Sequence, residues 1–293
     1  MTTGSTQNKI ILITGSQGQL GSEFHKISFA FPQYQFIFSD RKSLNITDEQ
    51  AVNDFFSKNE ITVCVNCAAY TAVDKAEQEK ELAEKVNTTA VGYLAKACKD
   101  HYVQFMHIST DYVFNGKATR PYLSTDQTNP VNFYGSAKLS GEQMAIALND
   151  KTIIIRTAWV YSSFGNNFVK TMMRLMKDRE SIGVVNDQLG SPTYAGDLAE
   201  AIMHIINQDH FIPGVYHYTN EGITTWYNFA KEIAMLIKTK CVVNPISTEQ
   251  FPTPAARPAY SVLDTEKIQS IFNLQIPNWQ DSLQKCLAEI SAQ

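Results

Sequence analysis

Lys9-Ile10-Ile11-Leu12-Ile13-Thr14-Gly15-Ser16-Gln17-Gly18-Gln19-Leu20-Gly21 decides how the rest of the chain is read. An unbroken apolar run is the pattern of a short strand buried on both faces. Glycines follow at once, so the stretch reads as strand, glycine turn, helix. In that reading Gly15 permits the tight turn, Gly18 lets the backbone approach a pyrophosphate, and Gly21 lets the helix pack closely on the sheet. The spacing is Gly-x-x-Gly-x-x-Gly, shifted from Gly-x-Gly-x-x-Gly. A glycine triplet alone is often only a turn, but its place between an N-terminal strand and a helix points to dinucleotide binding.

Outward from there, Gln35-Phe36-Ile37-Phe38-Ser39 is a second strand ending in Asp40, about twenty residues beyond the turn, where a carboxylate would bind a ribose 2′-hydroxyl. Arg41 and Lys42 come next and would instead accept a 2′-phosphate, so NADH and NADPH both stay open. A helix start is expected in Leu44 to Gln50, with Thr47 as N-cap and Gln50 at the reciprocal position. Strand Ile61 to Asn66 leads into Cys67-Ala68-Ala69-Tyr70, small residues that suit either close packing of a cofactor on backbone or a tight junction. Helical residues around Glu81 to Lys99 are followed by strand Val103 to Ile108 and then Ser109-Thr110-Asp111-Tyr112-Val113-Phe114. Such alternation predicts an α/β fold, a Rossmann-type doubly wound parallel sheet with ligands at the carboxyl ends of its strands. Thr110 falls at such an end, and its hydroxyl can hydrogen-bond a substrate carbonyl. His107 lies inside the strand and reads as a satisfied core histidine.

After Pro130, apolar residues at helical spacing (Ala137, Leu139, Met144, Ala145, Leu148) predict a helix to about Leu148. Tyr134 and Lys138 stand four residues apart on it, on one face. A phenol with a reference pKa near ~10 carries protons poorly at neutral pH, and an adjacent ammonium favours the phenolate. The pair therefore suits a general acid for a carbonyl oxygen that becomes an alkoxide. By itself Tyr-x-x-x-Lys is more often an aromatic packed on a lysine stem.

Composition sets outer bounds. The chain has 293 residues, 44% hydrophobic and 18% charged, enough for one large domain or two modest ones. Its net charge of -4 favours neither nucleic acid nor an anionic membrane as partner. No apolar run approaches the ~20 residues of a membrane span, and Met1 to Asn8 lacks a signal-like pattern and reads as a loose tail, so a cytoplasmic location is expected. The 5 cysteines are scattered, which does not suggest a disulfide framework; Cys64 and Cys67, at redox-motif spacing, sit in a strand-like run and read as buried small hydrophobes.

With these pieces in order the chain resembles the extended short-chain dehydrogenases/reductases, and within them the dTDP-4-dehydrorhamnose reductase family. The carrying stretches are Gly18 to Gly21, Asn66 to Glu77, Ser109 to Phe114, Tyr134 to Glu142, Arg156 to Tyr161, Asn166 to Phe168, Asn186 to Thr193 and Arg257-Pro258. The resemblance implies reduction of the 4-keto group of dTDP-4-dehydro-L-rhamnose by NADPH or NADH. It implies that Tyr134 protonates O4, Lys138 holds the nicotinamide ribose and tunes Tyr134, Thr110 orients the keto oxygen, and Asp111 belongs to the substrate-binding residues. It places Gly15, Gly18, Gln19, Leu20, Gly21, Asp40, Arg41, Ala68, Ala69 and Tyr70 around the cofactor, and Trp159, Asn167 and Arg257 on the dTDP-sugar. Arg257 also suits a diphosphate in its own right, as a guanidinium fork in a proline-rich loop. Asn45 stands where the family usually has Asp, and Tyr260 where it often has Asn. Some members bind magnesium through three acidic residues at a dimer contact; not all three can be matched here, so no metal is expected, and a homodimer is left open.

From about Trp159 the alternation loosens. Helices are expected at Phe168 to Lys177, Gly196 to Ile206 and Trp226 to Lys238, the last capped by Thr225, with a strand at Gly214 to Tyr218. Asp197 reads as dipole complementation in a first helical turn. The resemblance implies residues 1–158 as the dinucleotide-binding domain, with 195–218 returning to it, and 159–293 as a smaller, mainly substrate-binding domain. Among related chemistries a 4,6-dehydratase is disfavoured because Tyr112, not a carboxylate, follows Asp111. A nucleotide-sugar 4-epimerase would use the same Tyr/Lys pair but keep its cofactor bound, and a catalytically silent cofactor-binding regulatory subunit would not need Thr110, Tyr134 and Lys138 intact.

Overall fold

The computed structural model describes residues 9–208 and 210–292, so the N-terminal tail lies outside the described residues. Four strands follow the reading above, β1 (Ile10–Thr14), β2 (Gln35–Ser39), β3 (Val63–Asn66) and β4 (Gln104–Thr110), and a fifth, β5 (Thr152–Thr157), comes after the Tyr134 helix. A later strand, Gly214–His217, pairs with β5, giving a six-stranded sheet in the order Gly214–His217, β5, β4, β3, β1, β2, parallel throughout. The strand pleat sends Ile11 and Ile13 into one core and Leu12 into the other, all fully buried. Helices cover both faces. Leu20 and Phe24 of α1 (Gln19–Ile27) share a core with Leu198 and Ile202 of the helix Ala195–Asn207, while Val52 and Phe56 of α2 (Glu49–Lys58) pack with Ala90 to Cys98 on the opposite side.

Two local expectations are corrected. The α2 N-cap is Asp48, not Thr47: its carboxylate accepts from the Ala51 amide at 3.0 Å, while the Thr47 hydroxyl turns back to Asn45 Oδ1. The helical stretch after Glu79 is not continuous. A π-helical turn, Lys85–Thr89, separates Lys80–Glu84 from Ala90–Asp100, and it turns Asn87 inward.

A smaller second core gathers Tyr161 of the short strand Val160–Tyr161 with Val169, Met172, Phe229, Ile233, Trp279 and Leu283 from the helices Phe168–Asp178, Trp226–Leu236 and Trp279–Ser291. Strand Ser181–Val185 pairs in parallel with Val242–Ile246 at its edge. Thr225 caps the helix Trp226–Leu236 through the Asn228 amide. Asp197 does more than face a helix dipole, being buried and accepting from Asn220 Nδ2 and Ser282 Oγ, so it ties the Ala195 helix to the C-terminal one. All five cysteines are free thiols, with Cys64 buried and Cys67 partly so.

Candidate active site

A cavity of about 630 Å³ runs along the carboxyl ends of the strands. Gly15, Gly18, Gln19 and Leu20 line it from the first turn, Ala68, Ala69 and Tyr70 from the segment after β3, Asp40 and Arg41 from beyond β2, and Tyr134 and Lys138 from the helix Phe133–Leu148. Gly15 has φ +63°, and a Cβ there would stand 2.7 Å from the Ala68 backbone, so only glycine closes this corner. Gly21 is not among the lining residues. A Cβ on it would meet Gly15 O and Ser16 Cα at 2.5 Å, so it lets α1 seat beneath the turn instead of against the sheet or a ligand.

The Ala68–Tyr70 wall is held from behind. Asn66 Oδ1 accepts the Ala68 amide at 3.2 Å, and Asn87 makes a two-way bond with Tyr70, accepting its amide at 2.8 Å and donating to its carbonyl at 3.0 Å. Asn87 was not singled out by sequence; its signal is the π turn, which leaves no trace in hydrophobic spacing.

The helix bearing Tyr134 is set by Asn132, whose Oδ1 caps the Gly135 amide at 2.8 Å and whose Nδ2 donates to Ala256 O at 2.8 Å. Gly135 lies so near the Tyr112 carbonyl that a Cβ would come to 2.2 Å, which brings Tyr134 edge-on to Tyr112, ring centroids 5.8 Å apart. Burial pushes the Tyr134 phenol up to about 12; the hydrogen bond with Thr110 opposes the shift and the Asp111 charge adds to it. Lys138 is 2% exposed, and burial brings its amine down to about 8 against the Glu142 charge. Its Nζ donates to Ile108 O at 2.6 Å and faces His107 Nε2 at 3.2 Å. The expected lowering of the phenol by a neighbouring ammonium is therefore absent from this arrangement: desolvation outweighs it, and the amine is aimed at β4.

Residues expected on the substrate side are engaged within the protein. Thr110 Oγ1 donates to Asp111 Oδ1 at 3.0 Å and accepts from the Tyr112 amide. Asp111 is buried, and desolvation lifts its carboxyl to about 7. Trp159, at φ +48°, stacks on Trp226 with centroids 3.6 Å apart. Asn167 caps its helix through the Lys170 amide, and its Nδ2 donates to Gln19 Oε1 and Ser162 O, which uses up the amide within the protein. Arg257 forks onto Asp74 at 2.5 and 2.7 Å. None of these five residues lines the 630 Å³ cavity.

The cavity has the features a dinucleotide requires. Its glycine corner excludes side chains, and Ser109 Oγ, buried in its wall, has no hydrogen-bond partner among the described residues. Arg41 stands at its edge with no ion pair among the described residues. Asp40 is less open: Oδ1 takes the Lys42 and Ser43 amides and the Ser43 hydroxyl, and Oδ2 takes Gln17 Nε2 at 2.6 Å. No group of three or more His, Cys, Asp or Glu residues able to hold a metal occurs among the described residues, and none of their helices is long and apolar enough to cross a membrane.

A parallel sheet that lays a glycine turn beside a Tyr-x-x-x-Lys helix, with a second core following, is the arrangement of an extended short-chain dehydrogenase/reductase. The sequence profile described as the RmlD substrate binding domain matches residues 9–292. A dTDP-4-dehydrorhamnose reductase of Aggregatibacter actinomycetemcomitans is 40% identical over 288 residues, covering 95% of this chain and 98% of the relative. Among solved structures, the Clostridium acetobutylicum dTDP-4-dehydrorhamnose reductase superposes with TM-score 0.92 at 42% identity, covering 96% of this chain and 99% of that one. The Bacillus anthracis reductase, solved in complex with NADP, gives TM-score 0.93 at 38% identity over 97% of this chain and 100% of that one. The chain belongs to this family of oxidoreductases, the dTDP-4-dehydrorhamnose reductases.

Proposed function

We propose that the chain reduces the 4-keto group of dTDP-4-dehydro-L-rhamnose to dTDP-L-rhamnose with NADPH or NADH, and that Tyr134 is the proton donor. The observation that carries this reading is that Tyr134 and Lys138, one helical turn apart, both line the cavity that the glycine turn opens.

A phenol raised to about 12 holds its proton throughout the neutral range and yields it only to a stronger base, such as the alkoxide at O4. The bound dinucleotide supplies the hydride. Gly18, Gln19, Leu20, Ala68, Ala69 and Tyr70 bind it by backbone and apolar contact, and Ser109 Oγ gains a partner. Lys138 turns from Ile108 O toward the ribose, where its charge steadies the phenolate left behind. Thr110 re-aims its hydroxyl from Asp111 to the keto oxygen. Arg257 exchanges Asp74 for the substrate diphosphate, a fork for a fork. Residues 159–293, apart from the 195–218 return, then serve mainly to hold the sugar nucleotide. The occupied Asp40 and the open Arg41 favour NADPH.

The test supplies dTDP-4-dehydro-L-rhamnose with NADPH or NADH and identifies the sugar formed. Stoichiometric cofactor oxidation with dTDP-L-rhamnose as product supports the reading. An epimerised sugar without net oxidation, or cofactor binding without turnover, overturns it in favour of an epimerase or a silent subunit.

A further inference from the structure

We propose that His107, oriented by Asn66, is a positioning residue for Lys138: it presents a ring N–H to the lysine amine at its resting place and so drives the ammonium out toward the cofactor ribose. The inference rests on the functional reading above for the destination of Lys138, but its first step is a matter of hydrogen-bond bookkeeping in the free protein.

The starting point is a backbone amide, whose role as donor is fixed. Ala68 N donates to Asn66 Oδ1 at 3.2 Å, and Thr14 Oγ1 donates to the same oxygen at 2.6 Å. The orientation of the Asn66 amide is thereby decided, with Nδ2 toward His107 Nδ1 at 3.0 Å. Nδ1 must then accept. Burial holds the imidazole neutral, so its one proton sits on Nε2. Nε2 faces Lys138 Nζ at 3.2 Å. A neutral amine can accept that N–H while donating to Ile108 O, but an ammonium has no lone pair and meets the N–H donor to donor.

Ile108 O accepts from either form of the lysine, and no carboxylate among the described residues is free to hold its cation here. The groups facing Lys138 are Glu142 on its own helix, Cys67 after β3 and His107 on β4. The Glu142 carboxylate is occupied by Arg156 in a buried fork at 2.7 to 3.2 Å, and burial pushes the Cys67 thiol up, leaving it neutral. Register explains the assembly: Thr14 of β1, Asn66 of β3 and His107 of β4 lie side by side across the sheet, so one polar row runs from the glycine turn to the lysine. The resting site thus disfavours the ammonium relative to water, the direction in which burial moves Lys138, and the ribose hydroxyls favour it.

The experiment labels the histidine ring nitrogens with ¹⁵N in the cofactor-free wild-type protein, with the His107 signal assigned by through-bond correlation from its own backbone. The expected result is a neutral Nε2–H tautomer for His107 from pH 6 to 9. An Nδ1–H tautomer or an imidazolium in the wild type overturns the proposal, whether or not any variant folds. In Asn66→Asp the retained oxygen still accepts from Ala68 N, while the second oxygen draws the proton to Nδ1 and leaves Nε2 free to accept the ammonium. Lys138 is then held back. NADPH binding, read by fluorescence, should weaken about tenfold at pH 7, KM for NADPH should rise, and kcat at saturation should change less than threefold. Unchanged affinity with a switched tautomer also overturns it. Failure of the wild type to bind NADPH would instead remove the functional reading and leave the tautomer result standing.

Discussion

The two sides of the crevice are prepared differently. On the cofactor side the groups a ligand needs are open: the turn at Gly15 is bare of side chains, Ser109 Oγ lacks a partner, and Arg41 is unpaired among the described residues. On the expected substrate side most of the polar groups already have a protein partner, as in Arg257 with Asp74, Thr110 with Asp111 Oδ1 and Asn167 with Gln19, and Trp159 is stacked on Trp226; Asp111 Oδ2 is the exception, with no partner among the described residues. A ligand on the first side makes new bonds, whereas a ligand on the second exchanges bonds and gains only the difference. Tight cofactor binding and modest substrate affinity follow from that contrast.

The sharpest test lies where the two sides meet. Tyr134→Phe removes one oxygen and keeps the ring against Tyr112, so kcat is expected to fall about 10³-fold with NADPH affinity within twofold of the wild type. Stopped-flow turnover beside fluorescence titration reads both. Full turnover in the variant would take the phenol out of the chemistry.

Gly15→Ala tests the openness of the cofactor side directly. Its φ of +63° and the 2.7 Å approach to Ala68 together cost about 3 kcal/mol, roughly a hundredfold, if the turn keeps its shape. NADPH binding should be lost before the fold is, since α1 and β1 keep their cores. Retained affinity with lowered thermal stability would mean that the turn relaxes and is not preformed.

Arg257→Ala tests exchange on the other side. Loss of a charged fork to a diphosphate should raise KM for the sugar nucleotide about tenfold or more, leaving NADPH affinity alone. Asp74→Asn removes the competing charge and should lower the same KM by a few-fold. A rise in both variants would show the pair to be a loop anchor and not a partner awaiting exchange.

The contrast also explains what could be seen in the sequence. The sheet was legible because β1 and β3 to β5 are buried on both faces, and the glycine turn was legible because its spacing reports backbone geometry. Strand Gly214–His217 joins the sheet beyond β5 after more than fifty intervening residues, and no local pattern carries that pairing. Around the site, Tyr134 and Lys138 could be paired by helical spacing, yet where the lysine points is set by His107 and Ile108 from another element. Arg257 and Trp159 could be noticed by residue type, but their partners Asp74 and Trp226 stand far away in the chain. Thr47 lost its cap to the next residue, Asp48, because both are good caps and only the helix register decides between them.

The smallest expected effect concerns the far end of the cofactor side, where Asp40 and Arg41 are neighbours with opposite preferences. Asp40 holds its carboxyl below the usual carboxylate range by accepting from Ser43 and Lys42, and Gln17 takes its second oxygen, so it is the least open group on that side. Arg41 lines the cavity beside Asp40 and makes no ion pair among the described residues, so a 2′-phosphate would meet its charge without first breaking one. An exposed guanidinium on a phosphate is worth on the order of 1 kcal/mol, so Arg41→Ala should raise KM for NADPH about fivefold and leave KM for NADH within twofold. The NADPH effect should shrink as salt is raised, because the contact is solvent-facing. Equal losses with both cofactors would show that Arg41 serves the shared adenosine end, and the choice between the two dinucleotides would then fall to Lys42 or to the Gln17 and Asp40 contact.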